Sequence, residues 1–349
     1  MRVGLVGLPG SGKTTLFRAL GGEREKVPHA PSDERPLVSV EVPDPRLEWL
    51  RDLWQPKKFT PARVEFQDLP GIPEKAVRGK PELLAAVREC DALAVVLRDF
   101  AADPYGQGPP APARDLEILR SEFLLGDLAV VEGRLERLQA KLRKPTPDKA
   151  AEERERELLE RIRPLLEEGT GLQDLELAPE DRRLLAGFRF LSAHPWVVVR
   201  NVDEERAGEP PEALSEAPEI VLAATAEEEV AGLDPGDRAE FLAAFGIAEP
   251  ARASLVRAAY AACRVHSFFT AGDDEVRAWT IPVGANAVEA AGRIHSDLAR
   301  GFIRAEVVPF EELRAAGDLR RYKAEHPVRL EGRDYVVQDG DILEIRFSV

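Results

Sequence analysis

A glycine-rich octapeptide directly follows an apolar run at the start of the chain. Val3–Val6 precedes Gly-Leu-Pro-Gly-Ser-Gly-Lys-Thr at 7–14, which fits the pattern G-x-x-x-x-G-K-[ST]. That pattern forms a phosphate-binding loop when a buried strand precedes it and a helix follows it. Helix-forming residues continue over Thr14–Leu20, and Gly21 and Gly22 predict where that helix ends. The sequence therefore predicts a P-loop between a strand and a helix.

The residue types of this loop suit a nucleoside triphosphate. Glycines let backbone amides approach phosphate oxygens, a lysine reaches the outer phosphates, and a threonine hydroxyl holds Mg²⁺. The alternative, a plain glycine turn, is disfavoured by the full eight-residue match and by both flanks. We predict nucleotide contacts from Gly10, Ser11, Gly12, Lys13, Thr14 and Thr15.

A second phosphate-site motif follows a later strand. Ala62–Gln67 leads into Asp68-Leu69-Pro70-Gly71. An acidic residue at the end of a strand beside a P-loop holds Mg²⁺, so we predict a metal site at Thr14 and Asp68. The backbone N–H of Gly71 is predicted to contact the terminal phosphate, and Lys13 and Gly71 are the predicted catalytic residues. The alternative is a simple strand-ending turn, because D-x-x-G is short.

Base recognition is predicted after the apolar strand Trp196–Arg200. A guanine-reading N-K-x-D ends in an aspartate that accepts from two adjacent N–H donors of guanine. In this chain the fourth residue is a glutamate and valine replaces the lysine, which weakens guanine preference. The alternative is a polar loop that merely ends a strand. We predict base contacts from Asn201, Val202, Glu204, Ala224 and Thr225.

The distribution of apolar runs predicts the fold class. Helical patterns separate several of these runs, which indicates an α/β, doubly wound, mostly parallel sheet. Residues 101–113 are rich in Pro, Gly and Ala and are interpreted as a linker. The predicted buried strands lie at 3–6, 37–42, 62–66, 92–97, 196–199 and 219–223.

A helical insertion and a separate C-terminal domain complete the predicted organisation. A heptad-like stripe of Leu124, Leu128, Val131, Leu135, Leu138 and Leu142 precedes a charged helix at 149–168, which predicts an antiparallel helical hairpin. Short alternating runs from 266 onward predict a small α+β domain. The predicted domains are 1–112 plus 194–265 for nucleotide binding, 113–193 for the helical insertion, and 266–349 for the C-terminal domain.

Charge and composition exclude several classes of function. The formal net charge of −15 argues against sequence-blind binding to nucleic acid, although a local basic face is compatible with it. The sequence contains no run of 18 apolar residues, so it predicts no membrane span. Its two cysteines, Cys90 and Cys263, predict neither a disulfide framework nor a metal site. We expect a cytoplasmic protein without a signal peptide, a membrane partner or DNA sequence specificity.

Basic residues gather near the predicted tip of the hairpin. We favour a solvated helix face, because glutamates are interleaved, and keep an RNA-facing stripe as the alternative. The residues are Arg134, Arg137, Lys141, Arg143, Lys144 and Lys149.

With these motifs the chain resembles the YchF family, P-loop NTPases related to the Obg group. The family's G-L-P-N-V-G-K-S-T is matched with changes by Gly7–Thr15, and its V-P-D-P-R-L by Val42–Leu47. Its P-K-K and V-E-F-x-D-x-x-G are present as Pro56–Lys58 and Val64–Gly71. Its base motif N-x-x-E is matched by Asn201–Glu204.

The C-terminal part carries the most literal matches to that family: Phe269–Gly272, Glu275–Ile281, Ala290–His295, Gly301–Glu306 and Val337–Asp341. The resemblance covers nearly the whole chain. It implies a nucleotide domain, an inserted helical coiled coil and a C-terminal TGS domain with a ubiquitin-like fold. It also implies an ATPase more than a GTPase, and ribosome binding.

Departures from the family lie around the phosphate site. The family's P-loop asparagine, linked to monovalent-cation assistance in related NTPases, is Gly10 here. Residues 28–34, which correspond to the first switch of the family, lack its threonine that meets Mg²⁺. The glycine-rich loop after D-x-x-G is replaced by Pro73–Leu84, with Gly79 alone. Ile72 occupies the position where water-positioning GTPases commonly have glutamine. These departures predict slow hydrolysis.

Two functions follow from these observations. The first is a slow, Mg²⁺-dependent enzyme that binds ATP or GTP, ATP at least as well as GTP, and acts as a switch associated with the ribosome or RNA. The second is a non-catalytic nucleotide-binding adaptor that recruits RNA or the ribosome. Intact Lys13, Thr14 and Asp68 favour the first, whereas Ile72 and the altered switch favour the second.

Overall fold

The computed structural model describes residues 1–21, 36–79, 81–103, 105–143, 148–173, 175–210, 213–244, 249–327 and 329–348. The switch segment predicted at 28–34 lies outside these residues. The strands are β1 (Arg2–Val6), β2 (Leu37–Glu41), β3 (Lys58–Thr60), β4 (Arg63–Asp68), β5 (Ala92–Asp99), β6 (Trp196–Val202), β7 (Glu219–Leu222), β8 (Val265–Ala271), β9 (Glu275–Pro282), β10 (Phe302–Pro309), β11 (Arg329–Glu331) and β12 (Asp341–Phe347).

The helices are α1 (Lys13–Gly21), α2 (Pro45–Trp54), α3 (Ala76–Gly79), α4 (Pro81–Arg88), α5 (Pro112–Leu142), α6 (Lys149–Glu167), α7 (Pro179–Ala186), α8 (Ala224–Ala231), α9 (Pro235–Ala244), α10 (Ala251–Ala262), α11 (Ala287–Ile294), α12 (Ser296–Arg300), α13 (Phe310–Ala316) and α14 (Leu319–Glu325). Within the described ranges, none of them combines the length and apolarity that crossing a bilayer requires.

The chain forms two compact units. Met1–Ser39 and Glu65–Ala259 make the first unit, and Val40–Val64 and Tyr260–Val349 make the second. The helical insertion predicted at 113–193 lies within the first unit. The sequence did not indicate that a segment near the N-terminus belongs with the C-terminal part of the chain. The three-domain division stays a prediction.

The first sheet has the predicted doubly wound α/β arrangement. Its strand order is β2-β4-β1-β5-β6-β7, and β1 pairs in parallel with both β4 and β5. In this register Leu5 lies opposite Asp68 on one side and Ala94 on the other. Because parallel strands end at the same edge, the P-loop and Asp68 are brought together there. The predicted fold class is confirmed.

The predicted helical hairpin is formed by α5 and α6. Arg134 bonds Glu155 at 2.7 Å, and Lys141 is ion-paired with Glu152, so residue numbers rise on one helix as they fall on the other. The helices are therefore antiparallel. Their shared core contains Leu124, Val131 and Leu138 of α5 and Leu158, Leu159, Ile162 and Leu166 of α6.

The second unit contains a six-stranded sheet in the order β11-β10-β12-β8-β9-β3. Its edge strand β3 comes from the N-terminal segment and pairs in parallel with β9, with Lys58 opposite Glu275. α2 begins at Pro45, where the side chain of Asp44 accepts from the N–H of Arg46. The unit is α+β as predicted, and its identification as a TGS domain stays a prediction.

Candidate nucleotide-binding site

The P-loop connects the end of β1 to the start of α1. Gly10 and Gly12 have φ values of +81° and +88°, which favour glycine. A Cβ on Gly12 would also lie 2.1 Å from Nδ2 of Asn201, so this position has no room for a side chain. The half-buried Thr15 lies in the first turn of α1. The local backbone is thus the one that the sequence pattern requires.

Lys13 is enclosed by the loop that it belongs to. Its side chain is 6% exposed, and Nζ donates to the carbonyls of Gly7 at 3.2 Å and Leu8 at 3.0 Å. Burial lowers the pKa of Lys13 from 10.5 to about 8, although the nearby charge of Asp68 acts to raise it. An ammonium held in so little water interacts strongly with an incoming phosphate.

We expect nucleotide affinity to fall as the pH rises through about 8. A bound triphosphate stabilises the Lys13 ammonium. Lys13 in the complex therefore keeps its proton at pH values above the pKa that it has in the free protein. Binding then takes up a proton, and affinity decreases by up to about tenfold per pH unit. The check is the Kd for ATP·Mg²⁺ measured from about pH 7 to about pH 9.5. Lys13→Arg, whose charge persists over this range, should give a flat profile; a flat wild-type profile would contradict the assignment.

Thr14 and Asp68 meet at the predicted metal position. Thr14 Oγ1 donates to Asp68 Oδ2 at 2.8 Å. Within the described part of the chain, Asp68 Oδ1 is buried without a hydrogen-bond partner. Burial raises the pKa of Asp68, against the lowering effects of the Thr14 hydroxyl and of the charges on Lys13 and Arg18. A cation held by Thr14 and Asp68 would give Oδ1 of Asp68 a partner.

Gly71 packs against the P-loop, and Ile72 is buried. A Cβ on Gly71 would lie 2.9 Å from the backbone nitrogen of Pro9, so glycine permits this close approach. The N–H of Ile72 donates to the carbonyl of Gly7 at 3.0 Å, and its side chain is 0% exposed within the core of the unit. Ile72 is therefore unable to present a side chain to a water molecule at the phosphate site.

Asn201 joins the P-loop to the predicted base-binding loops. Its Nδ2 donates to the carbonyl of Ser11 at 3.1 Å, and its Oδ1 accepts from the N–H of Ala224 at 2.9 Å. These bonds link three segments that are far apart in the sequence. Asn201 thereby positions the loops around the site through its side chain.

The other predicted base contacts differ in accessibility. Val202 is 2% exposed, so its side chain packs in the core and leaves its backbone as the part that a base could meet. Glu204 is half-buried at the start of a 3₁₀ turn, and Thr225 is exposed in the first turn of α8. These placements leave Glu204 and the amides near Ala224 as the groups suited to base contact.

The described residues of the predicted linker up to 110 form no helix or strand and are mostly exposed, yet they are held by side-chain contacts. Arg98, which is 2% exposed at the end of β5, donates to the carbonyls of Ala102 and Gly108. The composition predicted a linker without indicating its contacts, whereas the buried Arg98 holds two of its carbonyls. An arginine within the apolar run of β5 was the signal in the sequence that could have indicated it.

This loop brings side chains to the P-loop that sequence reasoning missed. A Cβ on Gly10 would lie 2.6 Å from the ring of Tyr105, and one on Gly12 would lie 3.7 Å from the ring of Phe100. Gln107 Nε2 donates to the carbonyl of Pro9 at 3.2 Å. The candidate site therefore has a wall that neither the P-loop nor the D-x-x-G motif indicated.

Two sequence families match separate parts of the chain. Residues 2–122 match the family described as "50S ribosome-binding GTPase". Residues 265–348 match the YchF-GTPase C-terminal family, described as "Protein of unknown function (DUF933)". Together the two matches include the P-loop, the D-x-x-G motif and most of the second unit.

Similar proteins extend over the whole chain. The "Ribosome-binding ATPase YchF" of Bacillus subtilis (strain 168) is 37% identical over 368 residues, which cover 100% of both proteins. The protein of the same name from Escherichia coli O157:H7 is 35% identical, covering 100% of this chain and 99% of the relative. The solved Schizosaccharomyces pombe YchF GTPase has a TM-score of 0.82 at 25% identity, covering 99% of this chain and 97% of its own.

Proposed function

The chain belongs to the YchF family, and from that premise we propose that it binds a purine nucleoside triphosphate with Mg²⁺, hydrolyses it slowly and thereby regulates its association with the ribosome. The observation that carries the proposal is the Thr14–Asp68 hydrogen bond of 2.8 Å, beside the enclosed Lys13. In this proposal Lys13 supplies a cation, and Thr14 and Asp68 supply two metal ligands, at the sheet edge where phosphates bind.

Mg²⁺ fits the oxygen atoms of this site. Thr14 Oγ1 and Asp68 would hold it, and the buried Oδ1 of Asp68 has no other partner within the described residues. Mg²⁺ is bound by one or two protein oxygens together with water and phosphate, and the described residues contain no larger cluster of metal-ligating side chains. When bound, the ion neutralises phosphate charge during transfer.

We propose that ATP binds at least as well as GTP. An aspartate would accept from the two adjacent N–H donors of guanine, but Glu204 is longer and half-buried. Val202 is buried, so its side chain is not positioned to contact a base. The bacterial relatives are named ATPases, which also supports this choice.

The ribosome is the proposed partner. Relatives that match this chain along its full length are named ribosome-binding, and ribosome association implies the cytoplasm. Two of the basic hairpin residues, Arg134 and Lys141, are ion-paired with glutamates of α6, which favours the solvated-face interpretation for them. The proposal includes the three-domain organisation, with the C-terminal part as a TGS domain available for RNA or ribosome contact.

The second candidate function, a nucleotide-binding adaptor without turnover, is favoured by the burial of Ile72. Single-turnover hydrolysis with protein in excess separates the two functions. We expect about one turnover per minute or slower for ATP, and competition binding in which GTP displaces a fluorescent ATP analogue no better than ATP does. Lys13→Ala protein, prepared identically, controls for contaminating NTPases. No release of phosphate above this control would establish the adaptor, and a strong GTP preference would overturn the base assignment.

A further inference from the structure

The loop after β5 is built to hold one glutamine in place. Gly106 and Gly108, with φ values of +67° and +82°, flank Gln107 and turn the chain on either side of it. The carboxylate of Asp103 accepts from the N–H of Gln107 at 2.8 Å and from that of Gly108 at 2.7 Å. The carboxylate of Asp103 thus holds the backbone of Gln107 in place. The buried Arg98 donates to the carbonyl of Gly108.

The side chain of Gln107 reaches the part of the P-loop that Gly71 approaches. Gln107 Nε2 donates to the carbonyl of Pro9 at 3.2 Å, and Gly71 packs against the backbone nitrogen and Cα of the same Pro9. Gly71 is the predicted donor to the terminal phosphate. The amide of Gln107 is therefore attached beside the place where that phosphate would lie.

A glutamine amide held in this way has the groups that orient a water molecule. One N–H is used by Pro9, which leaves the carbonyl oxygen to accept from a water O–H and the second N–H to donate. Ile72, which follows Gly71, is 0% exposed and has no such groups. The loop after β5 thus supplies a polar side chain, Gln107, that the segment following D-x-x-G does not provide.

We propose that Gln107 is a catalytic residue that orients the attacking water for hydrolysis of the bound nucleoside triphosphate; this inference rests on the proposed function. The water oxygen forms a bond to the terminal phosphorus while the bond to the bridging oxygen breaks. The bridging oxygen leaves with the electron pair as nucleoside diphosphate, and a proton of the water passes to the phosphate product or solvent. Gln107 gains and loses no proton, so its contribution is positioning.

Replacement of Gln107 should separate binding from turnover. We expect Gln107→Ala to slow single-turnover hydrolysis of ATP about 10- to 100-fold while the Kd for ATP·Mg²⁺ changes less than about twofold. Gln107→Glu should lose activity similarly, because a carboxylate has no N–H to donate to the Pro9 carbonyl. The matched control is Gln139→Ala, which removes an exposed glutamine of α5 and should retain the wild-type rate.

A transition-state mimic provides a readout that a structural role would not change. Gln107→Ala should weaken binding of ADP with Mg²⁺ and aluminium fluoride about 10-fold or more, and leave binding of ADP alone unaltered. Asp103→Ala, which frees the loop backbone, should give an intermediate loss of rate. Unchanged hydrolysis in Gln107→Ala would overturn the inference while the proposed function stands. A wild-type protein that binds no nucleotide, or binds it without turnover, would overturn the proposed enzyme function and the inference with it.

Discussion

Lys13→Ala is expected to raise the Kd for ATP·Mg²⁺ by about 100-fold or more, because truncating one partner of a buried charge pair costs about 3 kcal/mol. Lys13 is 6% exposed and is held by the carbonyls of Gly7 and Leu8. Its charge therefore meets a phosphate with little competing water. Equilibrium titration with a fluorescent ATP analogue, in the presence of Mg²⁺, measures the change.

The fold of the Lys13→Ala protein must be checked alongside. Lys149→Ala is the matched control, because Lys149 is exposed and forms a surface ion pair with Glu153 at 3.7 Å. It should bind ATP as the wild type does. Circular dichroism should show both variants folded. A Lys13→Ala protein that is folded and binds ATP with wild-type affinity would refute the assignment of this site.

Asp127→Ala is expected to lower the free energy of unfolding of the first unit by about 3 to 5 kcal/mol. Asp127 is 0% exposed within α5. It accepts from Arg88 Nη1 at 2.7 Å and from the backbone N–H groups of Leu191 and Ser192 at 2.9 and 2.8 Å. Truncation leaves the buried N–H groups of Leu191 and Ser192 without their acceptor. Arg88 loses its carboxylate partner, while its Nη1 keeps the carbonyl of Arg189 at 2.9 Å.

Two measurements isolate this effect. Urea unfolding gives the loss of free energy, and hydrogen exchange should show faster exchange of the Leu191 and Ser192 amides. Glu136→Ala, which removes an exposed carboxylate from the same helix, should stay within about 0.5 kcal/mol of the wild type. An Asp127→Ala protein as stable as the Glu136→Ala protein would show that the buried carboxylate is dispensable.

Motifs with local geometry could be predicted from the sequence. The P-loop was found because its glycines, lysine and threonine occupy fixed offsets between an apolar run and a helix. The parallel sheet was found from the apolar runs, and β5 is buried throughout its length. The hairpin was found from leucines at heptad-like spacing, of which Leu124 and Leu138 lie in the shared core.

Partners that are distant in the sequence could not be predicted in this way. Asn201 bonds the carbonyl of Ser11 across 190 positions, and Asp127 bonds Ser192 across 65. Such pairs depend on which helices, strands and loops become neighbours in the fold. A side chain's type indicates that it can form a hydrogen bond, and the packed fold determines the group that it meets.

The sequence by itself determined the strand-loop-helix at the phosphate site, the sheet class and the helical hairpin, because local backbone preference and apolar periodicity specify these elements. Tertiary structure alone decided that Val40–Val64 joins the second unit and that the loop after β5 lies on the P-loop through Gln107. The reason for the latter is Arg98, whose buried guanidinium donates to two carbonyls of a segment that the sequence predicted only as a linker. An exposed arginine would be hydrated, whereas a buried polar group must form its hydrogen bonds within the protein. Arg98 forms them with the carbonyls of this loop and so holds it in place.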